Sequence, residues 1–470
     1  MKLIYGIKDR PKFGQVIVFA IQQLLAIMAA TLVVPVIINT SGSMPEGAPA
    51  MSSAAALFGA GIGTLVYLLF TRFKSPVFLG SSFAFIGSMC SAFAGAISAQ
   101  AGYLGLIIGA VCAGLVYVVI ALIVKFAGVK WISKLMPAVV IGPTVAIIGL
   151  SLAGNAIGDL QTAPAGGSSY VAILCGLVTL AVTMLCATFG KKMIRLIPFI
   201  MGILAGYAVA TVFTVIGNVA DIDALKVINF APLTNLFTDF SIKSIVSVPD
   251  FTFVEALKGV KDIDAAYVGT VAVAYAPVAF VVFAEHIADH KNLSTIIESD
   301  LLEEPGLHNT LLGDGVGSMA GAIFGGCPNT TYGESVGCVA ITGNASVITI
   351  LTTAVMAIVI SFLSPFVAFV NTIPSCVMGG VCMALYGFIA VSGLKMIQKV
   401  DLEQNRNLFV VSVILITGIG GLSVSFGKVT LTTIACALIL GILANVMLGV
   451  KDKKAAEEQA PESEDNTYEL

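Results

Sequence analysis

Apolar runs separated by short polar joints fill almost the whole chain. Fourteen such segments stand out, at about 13–38, 53–70, 76–97, 102–124, 137–154, 168–189, 194–216, 266–287, 309–326, 329–346, 347–371, 375–394, 407–423 and 429–449. Most approach the roughly 20 residues that an α-helix needs to cross the hydrocarbon core. The runs are continuous rather than alternating, which excludes a membrane β-barrel. The pattern predicts an all-α polytopic membrane protein. The first run follows Lys2, Lys8, Arg10 and Lys12. It is too long for a signal-peptide core and reads as a retained span.

The longest polar interruption, 217–265, divides the spans into seven and seven. An odd number per half makes the halves enter the membrane in opposite senses, as in an inverted repeat. The chain then reads as a cytoplasmic N-terminus (1–12), a first repeat (13–216), an extracellular loop (217–265), a second repeat (266–449) and a disordered, acidic cytoplasmic tail (450–470).

Composition agrees. Of 470 residues, 57% are hydrophobic and 11% charged, against about 25% charged in soluble domains. That excludes an ordinary soluble enzyme, a nucleic-acid binder and a disordered chain. With the N-terminus inside, 19 of the 24 Lys and Arg residues fall on the inner side, as the positive-inside rule requires. Both termini are then cytoplasmic. Dropping one early span would destroy the bias. The nine cysteines show no CxxC spacing and lie in or beside apolar stretches, so they read as small core residues.

Charge inside spans is rare and tends to be functional. Here it amounts to Glu285, Asp289, Asp314 and Glu334, all in spans eight to ten. The alternative for each is a helix-end carboxylate reaching back to water. Glu334 ends the run Gly325-Gly326-Cys327-Pro328-Asn329-Thr330-Thr331-Tyr332-Gly333-Glu334. Pro removes a backbone donor, and Gly and Thr weaken a helix. Span three opens on a comparable stretch, Ser75-Pro76-Val77-Phe78-Leu79-Gly80-Ser81-Ser82-Phe83. Matched breaks at corresponding positions of two halves point to a transporter's binding site. The alternative is close packing of Gly-rich helices.

Broken-helix N–H groups and carboxylates together suit a small neutral ligand that has both carbonyls and N–H groups. A bulky cation would want aromatic faces, and the one Trp, Trp131, lies in a loop. Glu285 and Asp289 are four residues apart and share a helix face, with His286 and His290 beside it. A metal site is the weaker reading, because the order does not match H-E-x-x-H. A proton relay suits histidine better. His308 reads as solvated in a loop. No metal site and no cofactor beyond a co-transported proton is expected.

At these residues the chain resembles the nucleobase–cation symporter-2 family (nucleobase/ascorbate transporters), in particular its uracil permease branch. The family signature is carried by Glu334-Ser335-Val336-Gly337-Cys338-Val339-Ala340-Ile341-Thr342-Gly343. The run Asn329–Glu334 and the stretch Asp300-Leu301-Leu302, Pro305-Gly306-Leu307-His308 are also similar. The chain departs in Ser335, where the family has Asn, and in Gln22-Gln23, where it often has Gln-His. Some members have His at the position of Asp289.

The resemblance implies two inverted seven-span repeats, a core domain of spans 1–4 and 8–11 and a gate domain of spans 5–7 and 12–14. It implies short extended strands in spans 3 and 10. Glu285 and Glu334 would hydrogen-bond a nucleobase, backbone N–H groups near Phe83 and Gly333 would meet its carbonyls, and Tyr332, Tyr386 and Ala30 would line the pocket. Glu285, Asp289, His290 and Glu334 would handle the proton. The family commonly works as homodimers. The expectation is therefore a proton-coupled uracil symporter of an inner membrane, with a purine carrier as the nearest alternative and an anion transporter, channel or membrane enzyme further off.

Overall fold

A computed structural model describes residues 3–128, 137–164, 166–191, 193–238, 241–426 and 429–458. Expectations for Trp131, Lys130, Lys134 and 459–470 lie outside the described residues.

The first half contains α1 (Phe13–Thr40), α2 (Ser53–Phe70), β1 (Leu79–Ser81), α3 (Ile86–Ala94), α4 (Ala99–Ala127), α5 (Ala138–Ser151), α6 (Ala153–Gln161), α7 (Ser169–Phe189) and α8 (Pro198–Ala220). The second contains α9 (Ala265–Ile297), α10 (Leu307–Gly325), β2 (Asn329–Thr331), α11 (Gly333–Thr342), α12 (Val347–Ser361), α13 (Ser375–Ile397), α14 (Asn405–Ile419) and α15 (Thr433–Glu458). Short helical turns punctuate the 217–265 stretch between them.

Among the described residues, eight helices are long and apolar enough to cross a membrane. They cover expected segments one, two, four to eight and twelve. The other six fold as shorter or broken elements, save α10, a helix with the length but not the hydropathy, and α15, whose apolar part ends at Gly449.

Three boundaries differ notably from the expected ones. The eighth segment continues ten residues past 287, to Ile297. Hydropathy ended it early because Asp289, His290 and Lys291 follow, yet the helix persists and places Glu285 near its middle. His308, expected in a loop, is the second residue of α10 and half-buried, because Gly306 sets the start of that helix. At the far end, α15 runs on to Glu458, past 449.

Local chemistry explains the starts and stops. Ser52, Ser98 and Asp264 accept hydrogen bonds from backbone N–H groups in the first turns of α2, α4 and α9, as good N-caps do. Gly326, at φ +73°, ends α10 in the left-handed region. Pro328 then has no N–H to offer a helix, and the chain runs extended as β2. β1 and β2 pair antiparallel, with Leu79 opposite Thr331 and Ser81 opposite Asn329. The two breaks therefore satisfy each other's backbone, which is how non-helical chain survives at membrane depth.

By packing, the helices sort into two groups. One holds α1–α4 and α9–α12, the other α5–α8 and α13–α15. Within the first, α2 and α10 lie closest. A Cβ on Gly59 would sit 2.4 Å from the carbonyl oxygen of Gly321, and one on Gly63 would sit 2.7 Å from that of Gly317. The Asn329 side chain fills this crossing, donating to the Gly59 carbonyl at 3.0 Å. Gly59→Val should therefore force the helices apart, at a cost of about 1–3 kcal/mol or more. Thermal unfolding of the purified protein should show a clear drop in Tm. Gly158→Ala, where a Cβ meets nothing within 4 Å, should leave it unchanged; equal Tm values for both variants would refute the close crossing.

Candidate functional site

A cavity of about 100 Å³ opens between the two helix groups at the paired strands. The first group supplies a polar wall: Ser82, Phe83 and Ala84 after β1, Glu285 from α9, and Thr330 to Glu334 across β2 and the start of α11. The second supplies an apolar wall: Val145 and Ile148 from α5, with Leu385, Phe388 and Ile389 from α13.

The strand breaks explain the polar wall. β1 hands over to a 3-10 turn at Phe83–Phe85, and β2 to α11 at Gly333. Neither start has a side-chain cap. The first backbone N–H groups of a helix have no intrahelical acceptor, so both starts present donors where the cavity lies. Glu285 is exposed on this wall and Glu334 half-exposed, while their surroundings are buried. The Ser82 hydroxyl is buried and makes no hydrogen bond among the described residues, and the Thr330 hydroxyl lies beside the Tyr117 phenol. The wall thus offers carboxylate acceptors, amide donors and hydroxyls. It can pair with a flat neutral ligand that has both C=O and N–H groups.

Of the residues singled out in the sequence, Phe83, Glu285, Tyr332, Gly333 and Glu334 line the cavity. Tyr332 also braces it, donating its phenol to the Ser81 carbonyl at 2.7 Å. Ala30 and Tyr386 lie one layer back. Ala30 is buried in the apolar cluster that includes Tyr332. Tyr386 meets the edge of Phe83, ring centres 6.3 Å apart. Asp289 sits behind the strand and accepts from the Thr331 hydroxyl at 3.0 Å. His290 turns away from Glu285: Nδ1 donates to the His286 carbonyl at 2.8 Å, and Nε2 meets the Tyr67 phenol at 2.7 Å. Asp314 is no helix-end carboxylate. It is 1% exposed and binds His286 at 2.7 Å.

Sequence reasoning missed the apolar wall, because its five residues resemble those of any apolar span. It also missed that Gln23 and Ser335, the two departures from the family pattern, touch. Gln23 donates to the Ser335 hydroxyl oxygen, which also accepts the Phe78 N–H at 3.0 Å. The two substitutions together hold the chain entering β1 against the start of α11. A double-mutant cycle with Gln23→Ala and Ser335→Ala should show coupling of about 0.5–3 kcal/mol in unfolding free energy. Additive losses would mean that the pair does not act as a unit.

Helices from two packed groups, a cavity between them and broken backbone at its wall together define a membrane transporter. The chain belongs to the Permease family, whose model (Xan_ur_permease) matches residues 14–426. With its eight apolar helices it is an integral membrane protein. It is 37% identical to the "Uracil permease" of Bacillus caldolyticus, over 95% of each chain. It is 37% identical to that of Bacillus subtilis (strain 168), over 98% of each, and 33% identical to that of Escherichia coli (strain K12), over 98% of this chain and 97% of the relative.

Two solved structures share the fold. The transmembrane domain of the cyanobacterial bicarbonate transporter BicA aligns with TM-score 0.59 at 16% identity, over 94% of this chain and 100% of that one. The murine Solute Carrier 26 family member A9 anion transporter, inward-facing, aligns with TM-score 0.62 at 12% identity, over 95% of this chain and 69% of that one.

Proposed function

We propose that this protein imports uracil together with protons across the cell membrane by alternating access. The observation that carries the reading is the asymmetry of the cavity. Every hydrogen-bonding group on its wall belongs to one helix group, and the facing group is apolar. A ligand paired to the polar wall can travel with that group, while the apolar wall slides past without hydrogen bonds to break. The first group thus acts as the core and the second as the gate, in a fourteen-span chain of two inverted repeats with both ends inside. Its working form is a homodimer, and it performs no chemistry on its cargo.

Uracil fits the donors and acceptors. Glu334 and Glu285 accept from its N–H groups, and the N–H groups at the starts of α11 and the Phe83 turn donate to its carbonyls. A site built on such pairs rejects a ligand that leaves them unpaired by a large factor. The relatives named as uracil permeases support the choice of base. Counterflow of labelled uracil in proteoliposomes tests it, with unlabelled uracil, thymine, cytosine, xanthine and guanine as competitors. Uracil should compete best. Preferential competition by xanthine or guanine would move the assignment to a purine, and no counterflow with any base would end it.

A further inference from the structure

A second, smaller chamber lies behind the strands and shares no lining residue with the substrate cavity. Asp314, Ser318, Tyr117 and Asn329 supply its polar lining. Two of its groups have hydrogen-bonding capacity to spare. Asp314 Oδ1 is buried without a hydrogen-bond partner among the described residues, and the Tyr117 phenol has the Thr330 hydroxyl beside it; their residues are 1% and 4% exposed. A buried polar group left without its full set of partners is destabilising. The chamber offers about 10 Å³ to the centre of a water molecule, which is roughly the room one water needs.

The other oxygen of Asp314 leads to a histidine with two partners. His286 Nδ1 lies 2.7 Å from Asp314 Oδ2, and Nε2 lies 3.0 Å from the Thr310 hydroxyl. That hydroxyl also lies 3.0 Å from the Leu307 carbonyl. It has one proton and can give it to only one of them. If it donates to Nε2, His286 is neutral and donates through Nδ1 to a charged Asp314. If it donates to Leu307, Nε2 must carry its own proton and donate to Thr310. The pair then holds one proton more, with the Nδ1–Oδ2 contact intact.

We propose that one ordered water fills the chamber and that, with it, His286 and Asp314 form a proton-holding site separate from the substrate cavity. In the basic form, the water donates to Asp314 Oδ1 and accepts from the Tyr117 phenol. One proton taken from solvent protonates Nε2, and Thr310 turns its O–H to Leu307. No other bond forms or breaks. The charged and titratable neighbours are Glu285, Asp289 and His290 on α9, Tyr67 on α2, Tyr117 on α4 and Glu334 on α11. No Lys or Arg is ion-paired to any of them among the described residues. The added positive charge therefore meets carboxylates and uncharged rings, nearest among them His290, whose ring is stacked on that of His286 with centres 4.0 Å apart.

The chain has three histidines, so nitrogen NMR of histidine-labelled full-length protein in lipid nanodiscs can follow each ring. Signals are assigned with His290→Gln and His308→Gln. The test needs no transport, so its failure is distinguishable from failure of the uracil reading. We expect Nε2 of His286 to pass from acceptor to protonated donor as pH falls, in a single step. Asp314→Asn removes the charge partner and should move that step down by about one to three pH units. Tyr117→Phe keeps the ring and removes only the chamber hydroxyl; it should shift the His286 signals while leaving His308 in place. Thr310→Ser should preserve the step, and Thr310→Val should lower its midpoint. A His286 ring that keeps one neutral tautomer down to the pH of unfolding would overturn the proposal. So would the same midpoint in folded Asp314→Asn, or His286 signals indifferent to Tyr117→Phe.

Discussion

Glu334→Ala should lose uracil binding by at least ten- to a hundredfold. Glu334 is the second residue of α11, so its carboxylate and the orphan N–H groups of the same helix start act on one ligand edge. Removing the acceptor leaves a desolvated N–H of the base unpaired, at a cost of about 1–3 kcal/mol, and more when the lost group is charged. The variant should fold. Glu334 is half-exposed to the cavity, and its side chain makes no hydrogen bond to another described residue that its loss would break. Calorimetry on purified protein checks both points, since uracil heats should vanish while thermal unfolding stays close to that of the parent. Near-unchanged affinity would remove Glu334 from the site and leave the signature run with a packing role.

How much of this was legible follows from where each signal sits. The breaks at Ser75–Phe83 and Gly325–Glu334 announce themselves locally, because Pro328 and paired glycines cannot continue a helix. An acid such as Glu285 or Glu334 in an apolar span is equally conspicuous. The partners of these residues are not local. Ser335 meets Gln23 across 312 positions, and Asp314 meets His286 across 28, with no spacing rule to link them. The apolar wall was invisible for a different reason. Leu385, Phe388 and Ile389 look the same whether they face lipid, a neighbouring helix or a ligand. The His290 route to the cytoplasm rested on adjacency to Glu285. In an α-helix, residues five apart diverge around the axis, and here His290 reaches Tyr67 instead.

Glu285→Gln should retain uracil binding within about tenfold and lose proton-driven accumulation. Glu285 stands in the middle of α9, exposed on the polar wall and, among the described residues, in no ion pair. Glu334 shares the cavity with it. Two carboxylates at one small site repel, and sharing a proton relieves the repulsion. A neutral Glu285 can also cross with its substrate at far lower cost than a charged one. One proton moving down the membrane potential supplies about 2.3 kcal/mol per 100 mV, enough for roughly fifty-fold accumulation. Glutamine mimics the neutral form in size and polarity, and it has no proton to release. Asp289 cannot take over directly, since it lies behind the strand and is held by Thr331. Uptake into proteoliposomes, with and without an inward proton gradient, separates binding from coupling. The variant should exchange labelled uracil for unlabelled uracil and show no gain when the gradient is applied. Full accumulation by Glu285→Gln would place the coupling proton elsewhere, and the buried pair of His286, which follows Glu285 on α9, and Asp314 on α10 would be the group to test.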